Sequence, residues 1–224
     1  MKRSIRHVLT DAASFIADDI WLVVPETETS FSWRETQKRA ETIACYLQGA
    51  GISIGASVAI AAPNGAAASF AFLGVVYGGY RATPLNLVAG IKTLAFVLNH
   101  SKAEVILCAN DSRALVDEAI AELIETGEQA PRIIPMDVDN GPRWAETGII
   151  PVKPADLKEP STDTIGLLMY TSGTTGVPKG VLLSHSNLIA AGTNVAVAHE
   201  LTPADTSMCV LPIYHINGLC VTVM

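Results

Sequence analysis

No Asp, Glu, Lys or Arg occurs anywhere from Thr42 to Tyr80. So long an uncharged stretch has to leave water, either across a membrane or inside a layered core. Glycine and proline decide between the two. Gly49, Gly51, Gly55 and the Pro63–Asn64–Gly65 turn divide the stretch into a helix end, a strand, a turn and a second helix. Pieces interrupted in this way fit the buried layers of an α/β protein better than a membrane span.

The rest of the chain repeats that alternation. A first helix is expected over about Ile5 to Asp18. Ser32 and Glu35 stand at capping-box spacing ahead of Ala40, Ile43, Ala44 and Leu47, which recur at helical spacing until Gly49–Ala50–Gly51 ends the helix. "SVAIAA" reads as a buried strand and Ala66 to Tyr77 as a buried helix. Ile91 to Asn99 reads as a helix and "EVILC" as a strand. Asp111 or Ser112 caps a helix carrying Leu115, Ala119 and Leu123, and "RIIPM" is a further strand. After a proline-rich loop come the strands "TIGLLMY" and "GVLLS". Ser184 or Ser186 then caps a helix whose apolar face is Leu188, Ala191, Val195 and Ala198, "SMCVLP" is expected as a last strand, and "IYHINGL" as a turn. Strands separated by helices pair in parallel through right-handed crossovers, so the expected fold is α/β: a doubly wound, mostly parallel sheet with flanking helices. Residues 1–138 and 163–224 read as two α/β portions of one domain joined by the loop 139–162, and the chain stops at "CVTVM" within an apolar run, as a portion of a longer domain would.

Composition excludes several functions. Fifteen basic residues stand against 22 acidic ones, a formal charge of −7, and no basic run forms a nucleic-acid-binding patch. Cys45, Cys108, Cys209 and Cys220 are scattered in apolar contexts without C-x-x-C spacing, so they read as small buried hydrophobes in a reducing compartment, not as a disulfide frame or zinc site. The N-terminal "MKRSIRHVL" carries the charge of an export signal, but Asp11, Asp18 and Asp19 interrupt the apolar segment such a signal needs. A cytoplasmic location is expected. Trp21, Trp33 and Trp144 show no spacing of an aromatic platform and are expected to pack.

One segment points to chemistry. "YTSGTTGVPKGV", Tyr170 to Val181, follows the apolar run "IGLLM". A loop that grips polyphosphate needs inward-pointing backbone N–H groups, hydroxyl donors and a cation. Gly173, Gly176 and Gly180 leave room for close backbone approach, Thr171, Ser172, Thr174 and Thr175 supply hydroxyls, Lys179 supplies charge, and Pro178 restricts the backbone ahead of it. The P-loop pattern G-x-x-x-x-G-K-[ST] does not fit: Pro178 stands where it needs glycine, Gly180 where it needs Ser or Thr, and a strand follows instead of a helix. An idle glycine-rich hairpin is the competing reading, although a hairpin turn needs neither four hydroxyls nor a lysine.

"YTSGTTGVPKGVLLSH" resembles the phosphate-loop signature of the adenylate-forming superfamily, which holds acyl-CoA synthetases, peptide-synthetase adenylation domains and luciferases. "FSWRETQKRAETIACYLQGAGISIGASVAI", "PNGAAASFAFLGVVYGGYRATPLN" and "LPIYHINGL" resemble further family segments in the family's order, so the resemblance covers most of Ser30 to Leu219. Arg81 and Thr83, and the pair Ala56–Ser57, depart from the family's pattern. The resemblance implies the N-terminal, incomplete part of an acyl-CoA synthetase AMP-binding domain. As a complete enzyme it would be an ATP-dependent carboxylic acid–CoA ligase (AMP-forming) of fatty acid metabolism, using ATP, Mg²⁺ and CoA.

Residue by residue, the resemblance implies that Thr171, Ser172, Gly173, Thr174, Thr175, Gly176 and Lys179 hold the ATP phosphates, with Lys179 catalytic. It implies that Tyr214, His215 and Gly218 border the acyl substrate, with His215 catalytic. No metal ligand is expected in these residues. The adenine and magnesium motif, the ribose-binding aspartate, the hinge and the C-terminal catalytic lysine follow the counterpart of "LPIYHINGL" in this family, so the fragment alone is expected to be inactive. His215 can also be read as an ordinary strand-end histidine, and His185 reads more readily as a helix-entry residue than as a ligand. A carrier-protein-loading adenylation domain and a non-catalytic, oligomerising interaction module are the alternative readings, the second with a homo-oligomer as its form.

Overall fold

The computed structural model describes residues 3–138, 140–171 and 177–224. Helix α1 (Ile5–Phe15) begins at Ser4, whose hydroxyl accepts the His7 backbone N–H at 3.3 Å. It ends at Phe15, short of the expected Asp18. The chain then turns so that the Trp33 N–H donates to the Asp19 carbonyl, and Phe15 is left 84% exposed. Strands β1 (Ile20–Val24) and β2 (Thr29–Ser32) form a small antiparallel pair ahead of α2 (Trp33–Gly49). The expected capping box is present: the Ser32 N–H donates to the Glu35 carboxylate at 2.8 Å, and the Glu35 N–H donates to the Ser32 hydroxyl at 3.3 Å. The Ser32 N–H and the Ser32 hydroxyl, which both donate to the Glu35 carboxylate, hold it below its ordinary pKa.

The main sheet contains β3 (Ser57–Ala61), β4 (Arg81–Pro84), β5 (Ala103–Ala109), β6 (Arg132–Asp137), β7 (Gly141–Pro142), β8 (Ile165–Thr171) and β9 (Lys179–Ser184), in the spatial order β7-β6-β5-β3-β4-β8-β9. The five inner strands run parallel, while β7 and β9 are antiparallel edges. Crossovers α3 (Ala66–Tyr77), α4 (Ile91–Ser101) and α5 (Arg113–Glu125) link the parallel strands, and α6 (His185–Ala198) follows β9. The doubly wound, mostly parallel α/β architecture read from the alternation is therefore the architecture of the chain.

Strand alternation sorts the core onto two faces. Val58, Ile60, Val105 and Leu107 point toward α1, α2 and α3, packing with Ile5, Ile43, Leu47 and Phe70; Leu188 of α6 joins this cluster. Ala59, Ala61, Ile106 and Cys108 face α4 and α5, packing with Leu94, Leu98, Val116 and Leu123. Each such large apolar side chain contributes about 1.5–3 kcal/mol when fully buried. Helix α3 is buried along its whole length, which explains why its stretch carries no charge. Its Gly74 is required by packing: a Cβ there would lie 2.5 Å from the Ile43 Cβ of α2. No helix among the described residues is long and apolar enough to cross a membrane.

Three local expectations differ from the structure. "SMCVLP" is not a strand; it runs irregularly, pairs with no strand among the described residues, and leaves Met208 83% and Val210 74% exposed. An apolar run becomes a strand only where a neighbouring edge takes up its N–H and C=O groups. Ser112 precedes α5 through a short 3₁₀ turn, Asn110–Ser112, and neither it nor Asp111 provides a side-chain cap. On α6 only Leu188 of the expected apolar face is fully buried; Ala191 and Val195 are half-buried and Ala198 is exposed.

The segment after β7 lies along α2. Trp144 stacks on Tyr46 with centroids 4.5 Å apart, the Val152 N–H donates to the Cys45 carbonyl, and Pro160 is buried. Trp21 and Trp33 pack against each other at 6.0 Å. Cys45, Cys108 and Cys220 are buried free thiols, and burial pushes Cys108 and Cys220 up to about 11.

Sheet topology also creates the place where a ligand would sit. Helix α3 leaves β3 on one face of the sheet, whereas α4 leaves the neighbouring β4 on the other. The loops after β3 and β4 therefore leave toward opposite faces at the carboxyl ends of the strands, the arrangement at which doubly wound folds bind ligands.

Candidate functional site

The glycine- and hydroxyl-rich segment joins β8 to β9 at the sheet edge. The two strands pair antiparallel from Ile165 opposite Ser184 to Thr171 opposite Lys179, so Thr171 and Lys179 face each other where the connecting loop leaves the sheet. Both are exposed, and Lys179 makes no ion pair among the described residues. Ser172, Gly173, Thr174, Thr175 and Gly176 lie outside the described residues, so the expectation for them rests on their chemistry. The lysine opens a strand, as the sequence indicated against a P-loop.

Below the loop, Tyr170 is half-buried and hydrogen-bonded at 2.8 Å to Nδ1 of His100, near the end of α4. The His100 ring stacks on Phe96 with centroids 5.4 Å apart. Burial pushes the Tyr170 phenol up, with the Arg81 charge opposing. The first residue of the segment is thus tied to α4, a connection the sequence offered no spacing to reveal.

The second group of expected residues lies in one turn. Ile213 is buried, Tyr214 half-buried and His215 exposed. The His215 N–H donates to the Pro212 carbonyl at 2.9 Å, and the Asn217 N–H donates to His215 Nδ1 at 3.3 Å. A wide helical turn, Asn217–Val223, follows. Gly218 is buried against this turn: a Cβ there would collide with the carbonyl oxygens of Leu211 and Pro212. Tyr214, His215 and Gly218 are brought together, and Thr171 and Lys179 are brought together. No hydrogen bond or ion pair joins the two groups among the described residues.

Asn64, in the turn after β3, donates its side-chain N–H to the Leu211 carbonyl at 2.8 Å and accepts the Ile213 N–H at 2.9 Å. In the sequence it stood out only as part of a proline–glycine turn within a segment resembling the family, with nothing to connect it to Leu211 and Ile213.

The departures at Ser57, Arg81 and Thr83 have structural partners. Ser57 and Thr83 are buried neighbours on β3 and β4, with hydroxyls 2.9 Å apart. The Arg81 guanidinium donates to the Ser101 carbonyl at 2.9 Å. His185 is the first residue of α6 and fully buried; its Nδ1 accepts the Ile5 N–H at 3.1 Å, so the ring is the Nε2–H tautomer and serves the packing of α1. Among the described residues no group of three His, Cys, Asp or Glu side chains could hold a metal ion, and no step is derived through Mg²⁺.

Residues 9–224 match the family model of the AMP-binding enzymes, and the chain belongs to that family within the adenylate-forming superfamily. It is 35% identical over 211 residues to a sulfoacetate–CoA ligase from Cupriavidus necator, an alignment covering 92% of this chain and 39% of the relative. A putative long-chain-fatty-acid CoA ligase from Rhodopseudomonas palustris superposes with a TM-score of 0.82 at 22% identity, over 98% of this chain and 54% of that one. ATP-bound MatB from the same organism superposes at 0.81 with 23% identity, over 99% of this chain and 42% of that one. At these identities the structural likenesses establish the fold. The chain spans about two fifths of the length of the curated relatives it matches.

Proposed function

We propose that this chain is the phosphate-gripping part of an acid–CoA ligase, which as a complete protein joins a carboxylic acid to CoA through an acyl-adenylate. The observation that carries the reading is the β8–β9 hairpin. It pairs Thr171 with Lys179 at the two ends of the hydroxyl- and glycine-rich sequence that joins the strands. Thr171, Ser172, Gly173, Thr174, Thr175, Gly176 and Lys179 hold the β- and γ-phosphates. A carboxylate oxygen attacks the α-phosphorus, the bond to the β-phosphate bridging oxygen breaks, and pyrophosphate leaves with its charge met by the loop. The thiol of CoA then displaces AMP from the acyl carbon. Such a loop acts by position and charge and forms no covalent bond. Tyr214, His215 and Gly218 border the acid. The family membership and the CoA-ligase names of relatives support this reading.

The 224-residue chain alone is expected to form no adenylate, and the complete enzyme to be cytoplasmic. In the full-length protein, Lys179→Ala should lower acid-dependent ATP–pyrophosphate exchange by about 10²-fold. An unchanged rate refutes the assignment. A second reading, an interaction module that oligomerises, is favoured by the apolar surface of Val197, Met208 and Val210, which are 73%, 83% and 74% exposed. Size-exclusion chromatography of the chain during ATP titration separates the two: a concentration-dependent oligomer without nucleotide binding supports the module.

A further inference from the structure

We infer that Asn64 is a positioning residue that seats the turn bearing Tyr214 and His215 over the carboxyl end of β3; its catalytic consequence rests on the acid–CoA ligase reading. Asn64 occupies the loop at the point where α3 and α4 diverge to opposite faces of the sheet, the arrangement at which a doubly wound fold takes its ligand. Its carboxamide reads backbone groups almost 150 positions away in sequence, donating to the Leu211 carbonyl at 2.8 Å and accepting the Ile213 N–H at 2.9 Å. One partner needs a donor and the other an acceptor, so only one orientation of the amide satisfies both.

Around this pair the segment has little else to hold it. Met208, Val210 and Leu211 are exposed, the segment joins no strand, and no other hydrogen bond ties residues 207–216 to the sheet or its helices among the described residues. Ile213, buried beside the bonded amide, is the one large side chain of this stretch that enters the core. His215 sits two residues beyond that anchor, its N–H closing onto Pro212, so fixing Leu211 and Ile213 fixes the direction in which Tyr214 and His215 leave the sheet. Asparagine is suited to the task because it supplies both a donor and an acceptor from one short side chain, and Asn64 is itself exposed, so its replacement leaves the core untouched.

The test uses Asn64→Ala, which removes both bonds, and Asn64→Asp, which keeps the acceptor for Ile213 but sets a carboxylate against the Leu211 carbonyl. In the 224-residue chain, amide exchange at Ile213 should accelerate about tenfold in Asn64→Ala, as loss of one net hydrogen bond predicts, while exchange at Ile60 of β3 stays as in wild type. The His215 ring resonances should move toward their unfolded positions in both variants. Unchanged Ile213 exchange, or unmoved His215 resonances, overturns the inference. In the full-length protein the acid KM should rise about tenfold in Asn64→Ala with the ATP KM unchanged, a split that general destabilisation does not produce. If an active wild type and the variant share the same acid KM, the positioning role is overturned. If wild type shows no acid-dependent pyrophosphate exchange at all, the ligase reading fails, and Ile213 exchange with the His215 resonances still decides the seat.

Discussion

His185 gives the chain a pH-dependent stability whose size follows from its surroundings. The ring is fully buried, with Nδ1 accepting the Ile5 N–H that begins α1. Burial first, and then the nearby Arg6 charge, lower its pKa from an ordinary 6.5 to about 4, with Glu159 opposing them. The fold therefore favours neutral imidazole, while the unfolded chain takes up a proton below about pH 6.5. The stabilisation is complete above 6.5 and lost progressively as pH falls toward 4. Worked through the linkage relation, it amounts to about 2 kcal/mol between neutral pH and pH 5. His185→Asn keeps an acceptor near the Nδ1 position but does not titrate. Urea unfolding followed by fluorescence of Trp21, Trp33 and Trp144 should show the variant less stable at about pH 7.5, by roughly 1–3 kcal/mol for the lost packing. Its stability should then fall less than wild type's on going to pH 5. Equal pH slopes for the two proteins would refute the reasoning, because they would mean that His185 titrates alike in both states.

Three further outcomes test the packing. Ser57→Ala should cost about 1–2 kcal/mol by stranding the buried Thr83 hydroxyl, whereas Ser57→Ala with Thr83→Val should come back close to wild type, as read by urea midpoints. Gly74→Ala should destabilise by about 1–3 kcal/mol despite alanine's better helix propensity, because the new methyl meets Ile43; a gain in thermal midpoint would show that α2 yields without strain. His100→Phe should keep the stacking on Phe96 yet lose the bond to Tyr170. The Tyr170 phenol resonance should then shift toward that of an unbonded tyrosine, and an unmoved resonance would remove His100 as its partner.

Much of the architecture is legible from residues close together in the chain. A capping box needs Ser32 and Glu35 three positions apart, a buried helix needs a run without charge, and a parallel sheet needs strands separated by helices; each is a local pattern with a local physical cause. That a strand, "GVLLS", follows the lysine was legible for the same reason, whereas its antiparallel return beside β8 was not. Tyr214, His215 and Gly218 were proposed from their motif and Lys179 from its loop. Their placement was not legible. "SMCVLP" has the composition of a strand but no edge to pair with, and only the assembled sheet shows that β9 ends the order on that side. The hydroxyls of Ser57 and Thr83 look like two separate oddities until β3 and β4 lie side by side. Asn64 looks like a turn residue until Leu211 and Ile213 arrive from far along the chain. The sequence by itself determined what each segment of this protein could become, because propensity, periodicity and capping act within a turn or two of helix. Tertiary structure alone decided which buried polar groups meet, because hydrogen-bond partners distant in sequence are chosen by topology.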